Sequence, residues 1–126
     1  MPAKTAVSIV EDDESLRLAL VGLIRSAGYE ARGFASAEDY LALQDARCAC
    51  VITDLHMPGI DGIEMMLKLR EMGYSVPAIM ITARADRTTE ARATTAGALC
   101  VLRKPFEAEA LLDCLHRALA DGASSH

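Results

Sequence analysis

Four consecutive acidic residues, Glu11, Asp12, Asp13 and Glu14, follow one apolar stretch of this chain, and a lone aspartate, Asp54, ends another in VITDLHMPGIDG, residues 51–62. Thr82 ends a third apolar run, and Lys104 precedes Pro105 after a further one. Carboxylates gathered roughly 4 Å apart repel by about 4 kcal/mol per pair at an effective dielectric of about 20, so such a cluster requires a counter-charge. A lysine and a divalent cation would supply it. Hard oxygen ligands with room for water suit Mg²⁺ far better than Zn²⁺, which prefers Cys and His. In that setting Asp54 is a nucleophile for a phosphoryl group. Mg²⁺ and Lys104 would neutralise charge building on the transferring group, and the Thr82 hydroxyl would hydrogen-bond one of its oxygens.

Each residue taken alone has a plainer role. An acidic run at a helix start complements the helix dipole. Asp54 would serve as a turn cap, Thr82 as a β-branched strand residue and Lys104 as a solvated charge. His56 is most simply a solvent-facing loop residue, and Pro58-Gly59 suits the centre of a type II turn. The chemical reading depends on these residues meeting, so the elements that carry them decide it.

Apolar runs of strand length alternate with amphipathic stretches of helix length. Strands are predicted at 6–10, 30–34, 50–53, 78–82 and 99–102. The first helix presents Leu16, Ala19, Leu20, Leu23, Ile24 and Ala27 at helical spacing. The second covers SAEDYLALQ, with Ser36 and Asp39 at capping-box spacing. Ile63, Met66, Leu67 and Arg70 mark the third. The fourth starts near Asp86, and the fifth is lined by Ala108, Leu111, Leu112, Leu115 and Leu119. Gly28, Gly73 and Gly97 sit where three helices close.

Five strands alternating with five helices imply a parallel sheet with right-handed crossovers, an α/β doubly wound fold. The first, third and fourth strands are continuously apolar, whereas the second carries Glu30 and Arg32 and reads as an edge. The strand order is then 2-1-3-4-5, in a flavodoxin-like arrangement. Ligands of such sheets bind at the carboxyl ends of the strands, where the order reverses. Glu11, Asp12, Asp54, Thr82 and Lys104 all fall at that edge.

The 126 residues make one domain, with 52% hydrophobic and 25% charged residues. No run approaches the roughly 20 apolar residues of a membrane span, and MPAKTAV lacks the apolar region of a signal peptide, so a cytoplasmic location is expected. Cys48, Cys50, Cys100 and Cys114 are expected to be reduced thiols, and Cys48-x-Cys50 lacks the spacing of a zinc knuckle. A net charge of −5 argues against nucleic acid as a direct partner of this domain.

The motifs IVEDDESLR, VITDLHMPGIDG, PAIMITA and AGALCVLRKPF together resemble, in order and spacing, the receiver domains of two-component response regulators, the CheY-like family. The likeness covers essentially the whole chain and is strongest to receivers attached to helix-turn-helix transcription factors. It implies that Asp54 is phosphorylated by a partner histidine kinase or phosphotransfer protein. It implies that Glu11 and Asp12 are the acidic pair, with Asp12, Asp54 and the His56 carbonyl as Mg²⁺ ligands. Thr82 looks like the switch hydroxyl and Lys104 like the phosphate-contacting lysine, with Lys104-Pro105 as a cis peptide. His56, Ala83, Arg84, Val101 and Pro105 would modulate the response. Residues 1–121 would form the receiver and 122–126 a tail or the start of a linker. The resemblance leaves room for a C-terminal output domain and for a homodimer through the fourth helix, fifth strand and fifth helix. It implies no enzyme beyond self-catalysed phosphotransfer and autodephosphorylation.

Two positions depart from the family pattern. Glu11 replaces the commoner first aspartate, which leaves metal binding through water reasonable. Val101 stands where Tyr or Phe is usual, so it offers no ring to swing inward, and Cys100 beside it reads as a small strand residue. A poorly anchored fourth helix, with Thr88, Thr89, Thr94 and Thr95, is the candidate mobile element. Two other function classes stand beside the receiver. One is a pseudo-receiver that binds protein without switching. The other is a Mg²⁺-dependent phosphohydrolase, disfavoured because His56 interrupts the Asp-x-Asp arrangement.

Overall fold

The computed structural model describes residues 5–43, 47–84 and 86–124, with side chains considered up to residue 120. Its elements run β1 (Ala6–Val10), α1 (Glu14–Ser26), β2 (Glu30–Phe34), α2 (Ala37–Leu43), β3 (Cys48–Asp54), α3 (Gly62–Glu71), β4 (Ala78–Thr82), α4 (Arg87–Thr95), β5 (Ala98–Arg103) and α5 (Ala108–Ser124). The strands form one sheet in the order β2-β1-β3-β4-β5, every pair parallel. The expected fold is therefore observed, with β2 at an edge.

Side chains alternate across each strand, so the sheet builds a separate core on each face. Val7, Ile9, Cys50, Ile52, Ile79 and Ile81 pack beneath α1 and α5. Val10, Val51, Ala78 and Met80 pack beneath α2, α3 and α4. Strands covered on both faces must be continuously apolar, which is why β3 and β4 read so clearly in the sequence.

β3 begins two residues before the predicted Cys50, and β5 extends one residue beyond each end of 99–102. Ala49, partly exposed, and Arg103, exposed, are weak apolar signals; pairing with Thr82 recruits Arg103, while Ala49 is carried in as the residue skipped where the β1–β3 register shifts. Helix phases differ more. In α1 the buried residues are Leu20, Val21 and Ile24, while Ala19 and Ala27 face solvent. In α3, Gly62, Met65, Met66 and Leu69 form the i, i+3, i+4, i+7 stripe, with Ile63 beside it; Leu67 and Arg70 are exposed. A stretch apolar at five of seven positions supports two neighbouring stripes, and packing chose this one. In α5, Ala108 is exposed, whereas Cys114 and Ala118 join Leu111 and Leu115 in the core.

Ser36 Oγ accepts the Asp39 N–H at 3.1 Å, as its spacing predicts; Gln44, expected at the end of α2, lies outside the described residues. A full capping box that sequence reading passed over closes the start of α3. Asp61 Oδ1 accepts the Glu64 N–H at 2.8 Å, and Glu64 Oε1 accepts the Asp61 N–H at 3.2 Å. Gly28, Gly73 and Gly97 end their helices at positive φ, as expected. α5 continues through residue 121, and Ser125 and His126 lie outside the described residues. Among the described residues, no helix is long and apolar enough to cross a membrane.

Candidate functional site

Backbone register assembles the site before any side chain is placed. Val10 lies opposite Thr53, so Glu11 emerges beside Asp54. Asp54 lies opposite Ile81 and Thr82 opposite Arg103, so Thr82 and Lys104 emerge one step further along the same edge. The Leu55 N–H donates to the Ile81 carbonyl at 2.8 Å, and the Lys104 N–H to the Thr82 carbonyl at 2.8 Å, which extends the ladder into the loops. Lys104-Pro105 is cis.

Asp54 is 6% exposed and Glu11 1% exposed. Lys104 Nζ lies 2.8 Å from Asp54 Oδ2 and 3.5 Å from Glu11 Oε1, so one ammonium serves both carboxylates. Burial works against the ammonium, but the hydrogen bond and charge of Asp54, joined by Glu11, hold the Lys104 pKa above its usual value. Burial also pushes Glu11 up to about 7; the Asp54 charge adds to this, while the Asp13 N–H and Lys104 oppose it. A group so poised has an unmet demand for positive charge.

The acidic cluster has the chemistry to meet that demand with a cation. Glu11, Asp12 and Asp54 each offer a carboxylate oxygen, and these lie within 4.8 Å of one another. Asp12 is exposed, which leaves one side of the cluster open to water. An all-oxygen donor set around a solvent-open position fits a hard divalent ion such as Mg²⁺. Asp54 Oδ1 accepts the His56 N–H at 3.1 Å, which orients the carboxylate, while the His56 side chain is exposed.

Supporting residues complete the frame. Arg17 Nη1 donates to the Glu11 carbonyl at 2.9 Å, and the Glu11 N–H donates to the Phe34 carbonyl at 3.0 Å, pinning the β1–α1 loop from two sides. Gly59 has φ 78°, as a type II turn demands. Gly62 is needed for closeness instead: a Cβ there would stand 2.7 Å from the Asp54 carbonyl oxygen. Sequence reading missed Arg17 and this role of Gly62. The only trace was a glycine placed directly after a helix cap.

Thr82 is fully buried, and its hydroxyl is engaged locally. It donates to the Arg84 carbonyl at 2.8 Å and accepts the Arg84 N–H at 3.0 Å. The side chains of Ala83 and Arg84 are exposed, as is Pro105, while Val101 is partly buried against the core beneath α4. The structure thus brings Glu11, Asp12, Asp54 and Lys104 together, and sets Thr82 at the neighbouring strand end with its hydroxyl turned to the β4–α4 loop.

Residues 7–116 match the family described as response regulator receiver domain. The chain belongs to that family. The receiver is 38% identical over 121 residues to the C4-dicarboxylate transport transcriptional regulatory protein DctD of Pseudomonas aeruginosa, covering 93% of this chain and 26% of DctD. It is 35% identical over 117 residues to the response regulator protein TmoT of Ectopseudomonas mendocina, covering 92% of this chain and 53% of TmoT. Its fold matches the chemotaxis protein CheY4 of Vibrio cholerae with TM-score 0.87 at 32% identity, over 93% of this chain and all of that one. The receiver spans about half or less of the length of the curated relatives it matches. These relatives include proteins named as transcriptional regulatory proteins, consistent with the resemblance in the motifs.

Proposed function

We propose that Asp54 of this receiver accepts a phosphoryl group from a partner histidine kinase or phosphotransfer protein, and that the modified chain switches a protein-interaction surface. The observation that carries this reading is the pairing of a nearly buried Asp54 with Lys104 at 2.8 Å, inside a cluster of three carboxylates. Asp54 supplies the attacking carboxylate oxygen, and the His56 N–H holds the other oxygen in place. The donor's P–N bond, that of a phosphohistidine, breaks as the new O–P bond to Asp54 forms, and the leaving imidazole nitrogen keeps the electron pair and takes up a proton. Lys104 stays beside the new acyl phosphate and balances its charge. Glu11, Asp12, Asp54 and the His56 carbonyl would hold Mg²⁺, whose charge stabilises the phosphoryl oxygens when bound. The chemistry is a single self-modification followed by hydrolysis, rather than turnover of a substrate.

Switching follows from Thr82. To bond a phosphoryl oxygen its hydroxyl must release the Arg84 carbonyl, which frees the β4–α4 loop. α4 buries only Ala93, so little packing opposes its movement. Phosphorylation then shifts a pre-existing equilibrium of this segment. Val101 supports a second reading, a pseudo-receiver that binds partners without switching, because a valine has no ring to relay the Thr82 movement. Residues 1–121 form the receiver in this proposal, with an output domain in a longer protein and copies pairing through α4, β5 and α5.

Intact mass after incubation with Mg²⁺ and acetyl phosphate tests the proposal. One phosphoryl adduct, absent with Asp54→Asn or with EDTA, is expected. No adduct, together with no binding of beryllofluoride, would leave the pseudo-receiver.

A further inference from the structure

β5 and α5 bring two thiols together, away from the acidic edge. Cys100 in β5 and Cys114 in α5 enter the same core beneath α5. Cys114 is 4% exposed, whereas Cys100 is only partly covered. Arg117, nearly one turn beyond Cys114, places Nη2 3.2 Å from Cys100 Sγ and 3.6 Å from Cys114 Sγ. One nitrogen against both sulfurs keeps the two thiols side by side beneath α5.

This arrangement exceeds what packing requires. A guanidinium against sulfur favours the thiolate, the reactive form, and an adjacent thiol can resolve an oxidised neighbour. Burial and the Cys114 thiol push Cys100 up to about 11 while Arg117 opposes them, so Cys100 reacts slowly at neutral pH. The other titratable groups nearby are Cys50 from β3 and Asp113, which acts on Arg117. Cys48 does not compete for Cys50. Residues two apart on a strand ordinarily share a face, but the β1–β3 register skips Ala49, and this irregularity turns Cys48 to the far side, where it accepts the Tyr40 hydroxyl at 3.5 Å.

We propose that Cys100 and Cys114 form an oxidisable dithiol site whose co-substrate is a hydroperoxide. The Cys100 thiolate attacks a peroxide oxygen, the O–O bond breaks, and the departing hydroxide takes up a proton to leave as water. Cys114 sulfur then attacks the resulting sulfenic acid, forming the S–S bond and releasing a second water. Two thiols and one hydrogen peroxide thus give one disulfide and two waters; the sulfurs lose two electrons and the peroxide gains them. The bond fixes α5 against β5, since a disulfide holds its Cα atoms within about 7 Å.

The experiment treats the full chain with hydrogen peroxide at pH 8, alkylates remaining thiols under denaturing conditions, and maps the peptides. A reducible Cys100–Cys114 peptide is expected, with Cys48 and Cys50 still alkylated. Arg117→Gln, at an exposed position, is expected to slow its formation several-fold with circular dichroism unchanged. Asp54→Asn is expected to oxidise like the parent, which separates this site from the phosphoacceptor. Oxygen adducts on Cys100 beside a free Cys114, a bond to Cys48 or Cys50, a Cys100 crosslink between chains, or no thiol loss would each overturn the proposal.

Discussion

Lys104 Nζ stands 2.8 Å from Asp54 Oδ2 across fifty residues of chain. The pair places the positive charge of one loop against the carboxylate of another, and Glu11 shares it. Replacing Lys104 with alanine leaves Asp54 held by the His56 N–H but without its positive partner. Formation of the phosphoryl adduct from acetyl phosphate should slow by about 100-fold, the usual cost of removing one charge-stabilising group. A time course by intact mass checks this, and an unchanged rate would remove Lys104 from the chemistry.

The carboxylate cluster should also report its cation through stability. A ligand bound only by the folded state adds RT ln(1 + [L]/Kd), about 2.7 kcal/mol at a hundred times Kd. MgCl₂ is therefore expected to raise the urea midpoint of the parent chain and EDTA to reverse it. Asp12→Asn and Asp54→Asn should show little of the rise. An equal rise in all three chains would mean that the ion acts elsewhere.

Thr82 and α4 give a prediction about motion. With the Thr82 hydroxyl held by Arg84 and α4 anchored by Ala93 alone, beryllofluoride and Mg²⁺ should change amide exchange across residues 86–95 while leaving β3 and β4 unaltered. Thr82→Val should abolish that change without preventing phosphorylation of Asp54. Identical exchange with and without the mimic would leave Val101 as the mark of a chain that does not switch.

Two glycines should respond in opposite directions to alanine. At Gly62 a Cβ would press on the Asp54 carbonyl at 2.7 Å and on Leu55 Cα at 3.2 Å, so Gly62→Ala should cost about 1–3 kcal/mol and impair phosphorylation. At Gly22, in α1, a Cβ meets nothing within 4 Å, and Gly22→Ala should add up to about 1 kcal/mol through helix propensity. Urea denaturation of both variants measures the contrast.

Thiol labelling provides a pH-dependent test. Cys100 is the one cysteine with partial exposure, and burial raises its pKa to about 11. Only the thiolate alkylates, so its rate with iodoacetamide should rise about tenfold per pH unit while pH stays below that pKa. Cys48, Cys50 and Cys114 should stay protected in the folded chain. Burial raises the Cys50 pKa as well, and from a fully covered position. A rate that levels off near pH 8 would show an ordinary exposed thiol.

The sequence determined the alternation of strands and helices, because periods of two and 3.6 residues are properties of local backbone geometry. It also marked β2 as an edge through Glu30 and Arg32, and it named Glu11, Asp12, Asp54, Thr82 and Lys104, since each ends an apolar run. The tertiary structure decided what depends on three-dimensional closeness. It selected Met65 and Leu69 over Leu67 for the core of α3, where several stripes were open. It turned the Thr82 hydroxyl toward Arg84, set Gly62 against the Asp54 carbonyl and carried Arg17 to the Glu11 carbonyl. It also joined Cys100 to Cys114 beneath Arg117. None of these has a sequence period, because each depends on how a helix seats against a sheet, and that seating is fixed by the packing of side chains far apart along the chain.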